Sequence, residues 1–349
     1  MIRPRKTVEE MPRYDPPLEG RRDKLRLDFN ENTQGPSPKA LEVLRNATPE
    51  MLSTYPEYAK AYDFFARHWG VDVSNILATN GTDEAIRIIF NTFINEGDVV
   101  VLPAPSYALF ELESVLFGAD IQRVYYNDDL SFPVERMVEA ARGAKLVVVV
   151  NPNNPTGTSV PQDAIARIAG EAELVLVDEA YSEFNKTTAL PLLDEMKNII
   201  LTRTFSKAFG LAGLRLGFAI SSPEIISTLK KVASPYSVNT LALACAIATL
   251  KDKDYIARYV DEVIEARANL IEGLKKMGFD VFNSEANFVV CRIGKDAKAY
   301  AAALRERGIL VRDRSSYPLL KGCIRMGVGT RDQARTLLDA LKEIKEEIC

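Results

Sequence analysis

The segments KLVVVVN (145–151) and AELVLVDEA (172–180) decide the fold class of this chain. Each is a short, nearly continuous apolar run, and DVVVLPAP (98–105) has the same character. Runs of this kind are typical of strands that are covered on both faces, as in a parallel sheet. Segments with helical spacing lie between them, for example QDAIARIAG (162–170). The alternation predicts an α/β fold with a mostly parallel central sheet flanked by helices.

The pattern changes along the chain and predicts three parts. Residues 1–38 are proline-rich and charged, which indicates an N-terminal arm. Residues 39–240 carry the strand and helix alternation and form the predicted large domain. Residues 241–349 begin with a long amphipathic segment (252–277), predicted to be one helix with at most one break. Strand-like NFVVCRI (287–293) and CIRMGVG (323–329) follow, so this part is a predicted smaller α+β domain.

The composition limits the classes of partner and of metal site. The chain has 44 basic and 48 acidic residues, a net charge of −4, which argues against nucleic acid or an anionic membrane as the main partner. The single histidine, His68, argues against a zinc site built on histidines, and we expect no metal. Four separated cysteines without CxxC spacing, no apolar leader in the first twenty residues and no membrane-spanning run predict a cytoplasmic protein.

The segment VDEAYSEF (177–184) places Asp178 and Tyr181 where a predicted strand ends. In open α/β sheets, ligands bind at the carboxyl ends of the strands, so an acid there can face a ligand. The alternative is that Asp178 only caps the following helix.

The segment RTFSKAFGLAGLRLGF (203–218) surrounds Lys207 with apolar and small residues. A lysine that attacks a carbonyl group must first lose its proton, and desolvation favours that loss. Ser206 and Arg215 could both reach a phosphate, while Gly210 and Gly213 would let the backbone approach closely. The alternative is an ordinary loop with a solvated lysine.

Two further turns follow predicted strands. VNPNNPTG (150–157) forms a rigid turn in which Asn154 could donate a hydrogen bond to an anionic oxygen. In TNGTDEAI (79–86), the backbone N–H groups of Gly81, Thr82 and Asp83 at a helix start form a natural phosphate seat. Thr82 is also the candidate N-cap of that helix.

Taken in order, these segments resemble fold-type I pyridoxal-phosphate enzymes, and more closely the histidinol-phosphate aminotransferases. The resemblance extends from DFNEN (28–32) to RMGVGT (325–330), nearly the whole chain. It is carried most specifically by NPNNPTG, VDEAY and RTFSKAFGLAGLRLGF in this order. It implies a fold-type I aminotransferase with a large cofactor-binding domain and a smaller α+β domain. It also implies that the arm, residues 1–38, contributes to the small domain and to a dimer.

The resemblance also implies how pyridoxal 5′-phosphate would be bound. Lys207 would carry the cofactor as a Schiff base and later move the substrate proton. Asp178 would pair with the protonated pyridine nitrogen, which keeps the ring an electron sink. Tyr181 and Asn154 would donate hydrogen bonds to the ring 3-oxygen, and Tyr107, in PSYALF (105–110), would stack on the ring.

The phosphate of the cofactor would lie against a defined set of groups. That set is Gly81, Thr82, Asp83, Thr204, Ser206 and Arg215. Tyr55, in STYPEY (53–58), matches a tyrosine that reaches the phosphate of the neighbouring subunit's cofactor. The resemblance therefore implies a homodimer, since each site would be incomplete in a monomer.

The substrates would be a small-molecule amino donor and a 2-oxo acid. By resemblance, Arg325 grips the anionic group of the substrate, and Arg312 and Tyr14 contact a substrate phosphate. Asn154 borders the substrate as well. The sequence departs from the family at Thr33, where proline is usual, and at RDRSSYPLLKG (312–322), which replaces a more glycine-rich loop.

The leading prediction is amino transfer from L-histidinol phosphate to 2-oxoglutarate, in histidine biosynthesis. Two alternatives remain on the same fold: an aminotransferase for aromatic or other amino acids, and a threonine-phosphate decarboxylase. A regulator without enzyme activity would normally carry an added basic DNA-binding domain, for which the short arm leaves no room.

Overall fold

A computed structural model describes residues 2–11 and 16–348 of the protein. The helices are α1 Lys6–Glu10, α2 Pro38–Arg45, α3 Pro49–Ser53, α4 Ala59–Trp69, α5 Gly81–Phe93, α6 Ala108–Leu116, α7 Val134–Ala141, α8 Gln162–Glu171, α9 Ser182–Asn185, α10 Pro223–Leu229, α11 Thr240–Leu250, α12 Lys253–Lys276, α13 Ala297–Glu306 and α14 Arg331–Ile348. The strands are β1 Leu25–Arg26, β2 Ile76–Thr79, β3 Val99–Ala104, β4 Asp120–Tyr125, β5 Leu146–Val150, β6 Val175–Asp178, β7 Ile199–Thr204, β8 Gly217–Ile220, β9 Asp280–Val281, β10 Phe288–Arg292, β11 Ile309–Leu310, β12 Arg312–Asp313 and β13 Cys323–Gly327.

A seven-stranded sheet forms the centre of the structure, in the order β2-β8-β7-β6-β5-β3-β4. β8 runs antiparallel to β2 and β7, and the other neighbouring strands pair in parallel. Strands β5 and β6 are buried throughout, because apolar clusters cover the two faces of the sheet. The mostly parallel α/β architecture predicted from the apolar runs is therefore confirmed.

The register of the sheet aligns the ends of three neighbouring strands. Asp178 pairs with Val150 on one side and with Thr202 on the other. The turn that holds Asn154 and the loop that holds Lys207 follow those same strands. The predicted cofactor residues therefore meet at one edge of the sheet.

A second sheet of four antiparallel strands, in the order β12-β13-β10-β9, lies in the C-terminal part. Its strands share an apolar cluster with α12, α13 and α14. The arm reaches this part, because β1 pairs in parallel with β11. The whole segment 253–276 is one unbroken helix, as predicted in its simplest form.

The starts of α2 and α5 differ. Ser37 caps α2 and accepts a hydrogen bond from the Lys39 backbone N–H. Thr82 is not an N-cap, and that prediction was wrong. Helix α5 already begins at Gly81, whose positive φ of 74° turns the chain there, so Thr82 lies inside the first turn.

Within residues 2–11 and 16–348, no helix combines the length and apolar content that crossing a membrane requires.

Candidate active site

The Asp178 side chain lines a cavity at the end of β6. This side chain is buried, and Oδ1 accepts hydrogen bonds from Thr202 Oγ1 at 3.0 Å and from the Ala180 backbone N–H at 3.2 Å. Burial raises the pKa of Asp178 to about 6, because desolvation outweighs these bonds and the attraction of Lys207. A cation placed against this carboxylate would be strongly favoured.

Lys207 lies in the loop after β7 and faces the same cavity. Its Nζ donates a hydrogen bond to the Phe29 carbonyl oxygen at 2.9 Å and lies 5.7 Å from the centre of the Tyr181 ring. The amino group is therefore held between the cavity and the N-terminal arm. Lys207 was predicted from the sequence as a site residue, but its contact with Phe29 was not.

The start of α5 forms an anion seat together with Arg215. A Cβ atom on Gly81 would lie 2.5 Å from Arg215 Nη2, and one on Gly217 would lie 2.6 Å from the Thr82 backbone nitrogen. These two glycines therefore let the guanidinium and β8 approach the N-terminus of the helix. Backbone N–H groups and a guanidinium at this point suit a phosphate group.

Hydrogen bonds hold the seat in place. Arg215 Nη2 donates to Asp83 at 3.1 Å, and Nη1 lies 3.5 Å from Ser206 Oγ. Tyr107 donates its hydroxyl proton to Asp83 at 3.1 Å, and Thr204 Oγ1 accepts from the Ser206 backbone N–H at 3.1 Å. Asp83 thereby joins the ring-stacking candidate Tyr107 to the phosphate candidate Arg215.

These groups surround one cavity of about 130 Å³. Its lining residues are Thr82, Asp83, Tyr107, Val150, Asn154, Asp178, Ala180, Tyr181, Thr204, Ser206, Lys207 and Arg215. Apart from Val150 and Ala180, all are residues that sequence analysis assigned to the cofactor. Gly81 lies close to the Arg215 guanidinium but is not part of the lining.

A wider cavity of about 630 Å³ shares Lys207 and Tyr181 with the first and is bordered by Arg312 and Arg325. The two arginines are directly paired across β12 and β13. Like charges opposite each other on neighbouring strands are unfavourable unless something neutralises them, so the pairing indicates an anion site. Arg325 is buried; it donates to Asn154 Oδ1 at 2.6 Å and to the Asp28 carbonyl oxygen.

Two residues of this wider cavity, Phe29 and Arg314, were not predicted from the sequence. Phe29 lies beneath two guanidinium groups, with its ring centre 3.9 Å from Arg21 Cζ and 5.6 Å from Arg312 Cζ. Arg314 also borders the cavity, and its Cζ lies 5.0 Å from the ring centre of Tyr317. The alternation of Arg312 and Arg314 was a usable signal, because residues two apart on a strand share a face. Phe29 carried no such signal.

Four further predicted residues have different outcomes, and these are Tyr55, Tyr14, Gly210 and Gly213. Tyr55 is 75 % exposed, and its ring centre lies 4.4 Å from that of Tyr236, so it does not reach the cavity of its own chain. Tyr14 lies outside the described residues. Gly210 approaches the Gly35 backbone as expected, but nothing lies within 4 Å of a Cβ on Gly213, so no close approach requires that glycine.

Comparison with known proteins places this geometry in a family. The family model "Aminotransferase class I and II" matches residues 22–341. The chain belongs to the class I and II aminotransferases. This aminotransferase is 39% identical over 331 residues to the histidinol-phosphate aminotransferase of Caldanaerobacter subterraneus, covering 92% of this chain and 93% of the relative. It is 37% identical to the histidinol-phosphate aminotransferase of Symbiobacterium thermophilum, covering 97% and 94%.

A solved structure is similar over the full length of this aminotransferase. The histidinol-phosphate aminotransferase of Sinorhizobium meliloti, in complex with pyridoxal-5′-phosphate, superimposes with a TM-score of 0.90 at 28% identity. The match covers 100% of this chain and 99% of the other. The fold-type I architecture is thereby established for this aminotransferase, independently of its helix and strand patterns.

Proposed function

We propose that this aminotransferase transfers the amino group of L-histidinol phosphate to 2-oxoglutarate, giving imidazole acetol phosphate and glutamate. The observation that carries the proposal is the pair of facing arginines, half-buried Arg312 and buried Arg325, that borders the same cavity as Lys207. A monoanionic carboxylate needs one guanidinium, whereas a phosphate dianion suits two. The names of the relatives at 37–39% identity agree with this substrate.

Pyridoxal 5′-phosphate fits the residues that are present. At one end of the cavity, the buried Asp178 carboxylate, whose pKa is raised, suits a cation. At the other end, the N-terminus of α5 together with Arg215 suits an anion. Pyridinium and phosphate supply those two charges. When bound, the cofactor acts as an electron sink that stabilises negative charge at the substrate Cα.

Each residue at the ring has a proposed role. Asp178 holds the proton on the pyridine nitrogen, because its carboxylate is buried and has few competing donors. Tyr181 and Asn154 bind the ring 3-oxygen, and Tyr107 stacks on the ring. Lys207 anchors the cofactor through its amino group and moves the proton of the substrate Cα.

The phosphate end is held by groups on two elements. We assign this role to Gly81, Thr82 and Asp83 at the start of α5, to Thr204 at the end of β7, and to Ser206 and Arg215 in the loop that follows. The Asp83 carboxylate acts indirectly, because its oxygens accept from Arg215 and Tyr107 and fix their directions. Its backbone N–H is the group that would face the phosphate.

The substrate phosphate is assigned to Arg312 and Arg325, with Tyr14 as a further contact. Arg325 is fixed by its bonds to Asn154 and to the Asp28 carbonyl oxygen, so it presents a preorganised guanidinium. The 2-oxo acid would use the same arginines through its carboxylates. Neither an aromatic aminotransferase nor a threonine-phosphate decarboxylase is favoured, because the relatives at 37–39% identity are named histidinol-phosphate aminotransferases. The L-threonine-O-3-phosphate decarboxylase of Porphyromonas gingivalis shares the fold at 22% identity.

The assembly is a proposed homodimer in which Tyr55 reaches the phosphate of the neighbouring subunit's cofactor. Exposure of both Tyr55 and Tyr236 supports this, because two adjacent exposed aromatic rings are unusual on a monomer surface. We further propose a large domain (39–240) and a small domain (241–349) with the arm (1–38). The separate apolar clusters around the two main sheets support that division.

The proposed location is the cytoplasm. Cys245, Cys291 and Cys323 are buried free thiols, which suits a reducing compartment. The biosynthetic role suggested by the names of the relatives agrees with it.

A panel of amino donors tests the function. Cofactor-loaded protein is mixed with L-histidinol phosphate, phenylalanine or threonine phosphate, and glutamate formation from 2-oxoglutarate is measured. We expect the highest kcat/KM with histidinol phosphate. In Arg312→Leu that value falls about 100-fold, while the value for phenylalanine changes much less. The exposed Arg258→Leu controls for loss of one positive charge. Carbon dioxide release from threonine phosphate, or equal losses for both donors in Arg312→Leu, would contradict the proposal.

A further inference from the structure

The arm segment Asp28–Asn30 contacts three proposed active-site residues in succession. The Asp28 carbonyl oxygen accepts from Arg325, the Phe29 carbonyl oxygen accepts from Lys207 Nζ at 2.9 Å, and Asn30 Nδ2 donates to the Tyr181 hydroxyl oxygen at 3.0 Å. Two of these contacts use backbone oxygens, which any residue would supply. The third depends on the side chain of Asn30.

The backbone of Asn30 is held in one conformation by its surroundings. The residue is 2 % exposed and has a positive φ of 57°, a region that asparagine tolerates better than most residues. The backbone carbonyl oxygen of Asn30 accepts a hydrogen bond from Asn287 Nδ2 at 3.0 Å. The preceding Asp28 is anchored by Arg21, whose Nε and Nη2 donate to its two oxygens at 2.9 and 2.8 Å. The amide is therefore presented to Tyr181 by a rigid segment.

The hydrogen bond that Asn30 donates to Tyr181 limits the direction in which the Tyr181 hydroxyl proton can point. A phenol can donate one hydrogen bond through its own proton and can accept bonds at its oxygen. Because Asn30 donates to that oxygen, the phenol proton must be directed elsewhere. This is the one hydrogen bond recorded for the Tyr181 hydroxyl within residues 2–11 and 16–348. The remaining direction is the cavity that Tyr181 lines with Lys207 and Asp178.

We propose that Asn30 is a positioning residue that keeps Tyr181 a hydrogen-bond donor toward the ring 3-oxygen of the cofactor. This inference rests on the proposed function, because it requires the cofactor in the Lys207 cavity. A donor fixed toward an oxygen that carries negative charge stabilises that charge without reorganisation. Asn30 thereby helps keep the nitrogen that links Lys207 to the cofactor unprotonated at neutral pH, although Asn30 itself belongs to the arm.

The test is a pH titration of the visible absorbance of the bound cofactor, which reports protonation of that nitrogen. Asn30→Leu removes the donor, and we expect the midpoint to rise by about one pH unit. Asn30→Asp replaces the donor with an acceptor that draws the phenol proton away, so its midpoint should rise at least as far. Thr33→Val is the matched control: it removes an arm hydrogen bond, to Gln333 at 2.6 Å, that does not involve Tyr181.

A double-mutant comparison separates positioning from general loosening of the arm. In a Tyr181→Phe background, Asn30→Leu should cause no further shift of the midpoint. The inference is overturned if Asn30→Leu, with a full complement of cofactor, titrates like the wild type. It is also overturned if its shift persists in full without the Tyr181 hydroxyl, or if Thr33→Val shifts the midpoint equally. Absence of the visible absorbance from the wild-type protein would instead contradict the proposed function.

Discussion

The burial of Asp178 makes the free energy of unfolding depend on pH and on the bound cofactor. The pKa of Asp178 is raised from 3.8 to about 6, mainly because burial disfavours the charged carboxylate. The folded protein therefore binds this proton more tightly than the unfolded chain does. As a consequence, the free energy of unfolding decreases as pH rises from about 4 to about 6, and the cost is complete above that range.

We predict that Asp178→Asn stabilises the cofactor-free protein at pH 7.5 by on the order of 1–3 kcal/mol and has little effect near pH 4. Asparagine keeps an oxygen for Thr202 and for the Ala180 N–H but carries no charge. Added pyridoxal phosphate should reverse the order, because only the wild-type carboxylate pairs with the pyridinium. Denaturant unfolding with and without cofactor at both pH values measures this. A cofactor-free variant less stable than wild type at pH 7.5 would disprove it.

At the scale of elements, the phosphate seat depends on the contact between β8 and the start of α5. A Cβ on Gly217 would lie 2.6 Å from both the Gly81 carbonyl carbon and the Thr82 nitrogen. Both are backbone atoms, so the helix start would have to move.

Gly217→Ala should therefore lower the free energy of unfolding by about 1–3 kcal/mol and weaken cofactor binding at least tenfold. Equilibrium titration with pyridoxal phosphate and thermal unfolding measure the two effects. Gly170→Ala in α8 is the control, since nothing lies within 4 Å of its added Cβ and its φ is not positive. If Gly217→Ala bound the cofactor as tightly as Gly170→Ala does, the helix start would not be the seat.

The same elements explain what the sequence could predict. Strands β5 and β6 were recognisable because their apolar runs are local, and polar residues just after such strands were natural site candidates. The pairing of β1 with β11 was not recognisable, since it joins two-residue strands at opposite ends of the chain. The contacts of Phe29 and Asn30 depend on that pairing, so these two residues were missed, although Tyr14 of the arm was predicted to contact the substrate.

At the scale of the whole molecule, the position of Tyr55 distinguishes a monomer from the proposed dimer. Its side chain is 75 % exposed and lines neither of the two cavities around Lys207. In the proposed assembly, each site combines Lys207 of one subunit with Tyr55 of the other.

Mixing two defective variants tests this assembly. Lys207→Ala should abolish activity, and Tyr55→Ala should weaken the binding of the cofactor phosphate. A mixed dimer would contain one site with both defects and one site with wild-type residues throughout. We therefore expect activity to reappear after the two variants are unfolded together and refolded, with sedimentation showing dimers. No recovery in mixed dimers would place Tyr55 outside the partner's site.

The attachment of the cofactor to Lys207 is tested most directly by borohydride reduction of the loaded protein, followed by peptide mass spectrometry. We predict that the added mass lies on Lys207, disappears in Lys207→Ala and persists in Lys230→Ala. Lys230 is a fair control, because burial lowers its pKa and so favours the unprotonated amino group. Added mass on another lysine, or none on the wild-type protein, would contradict the account.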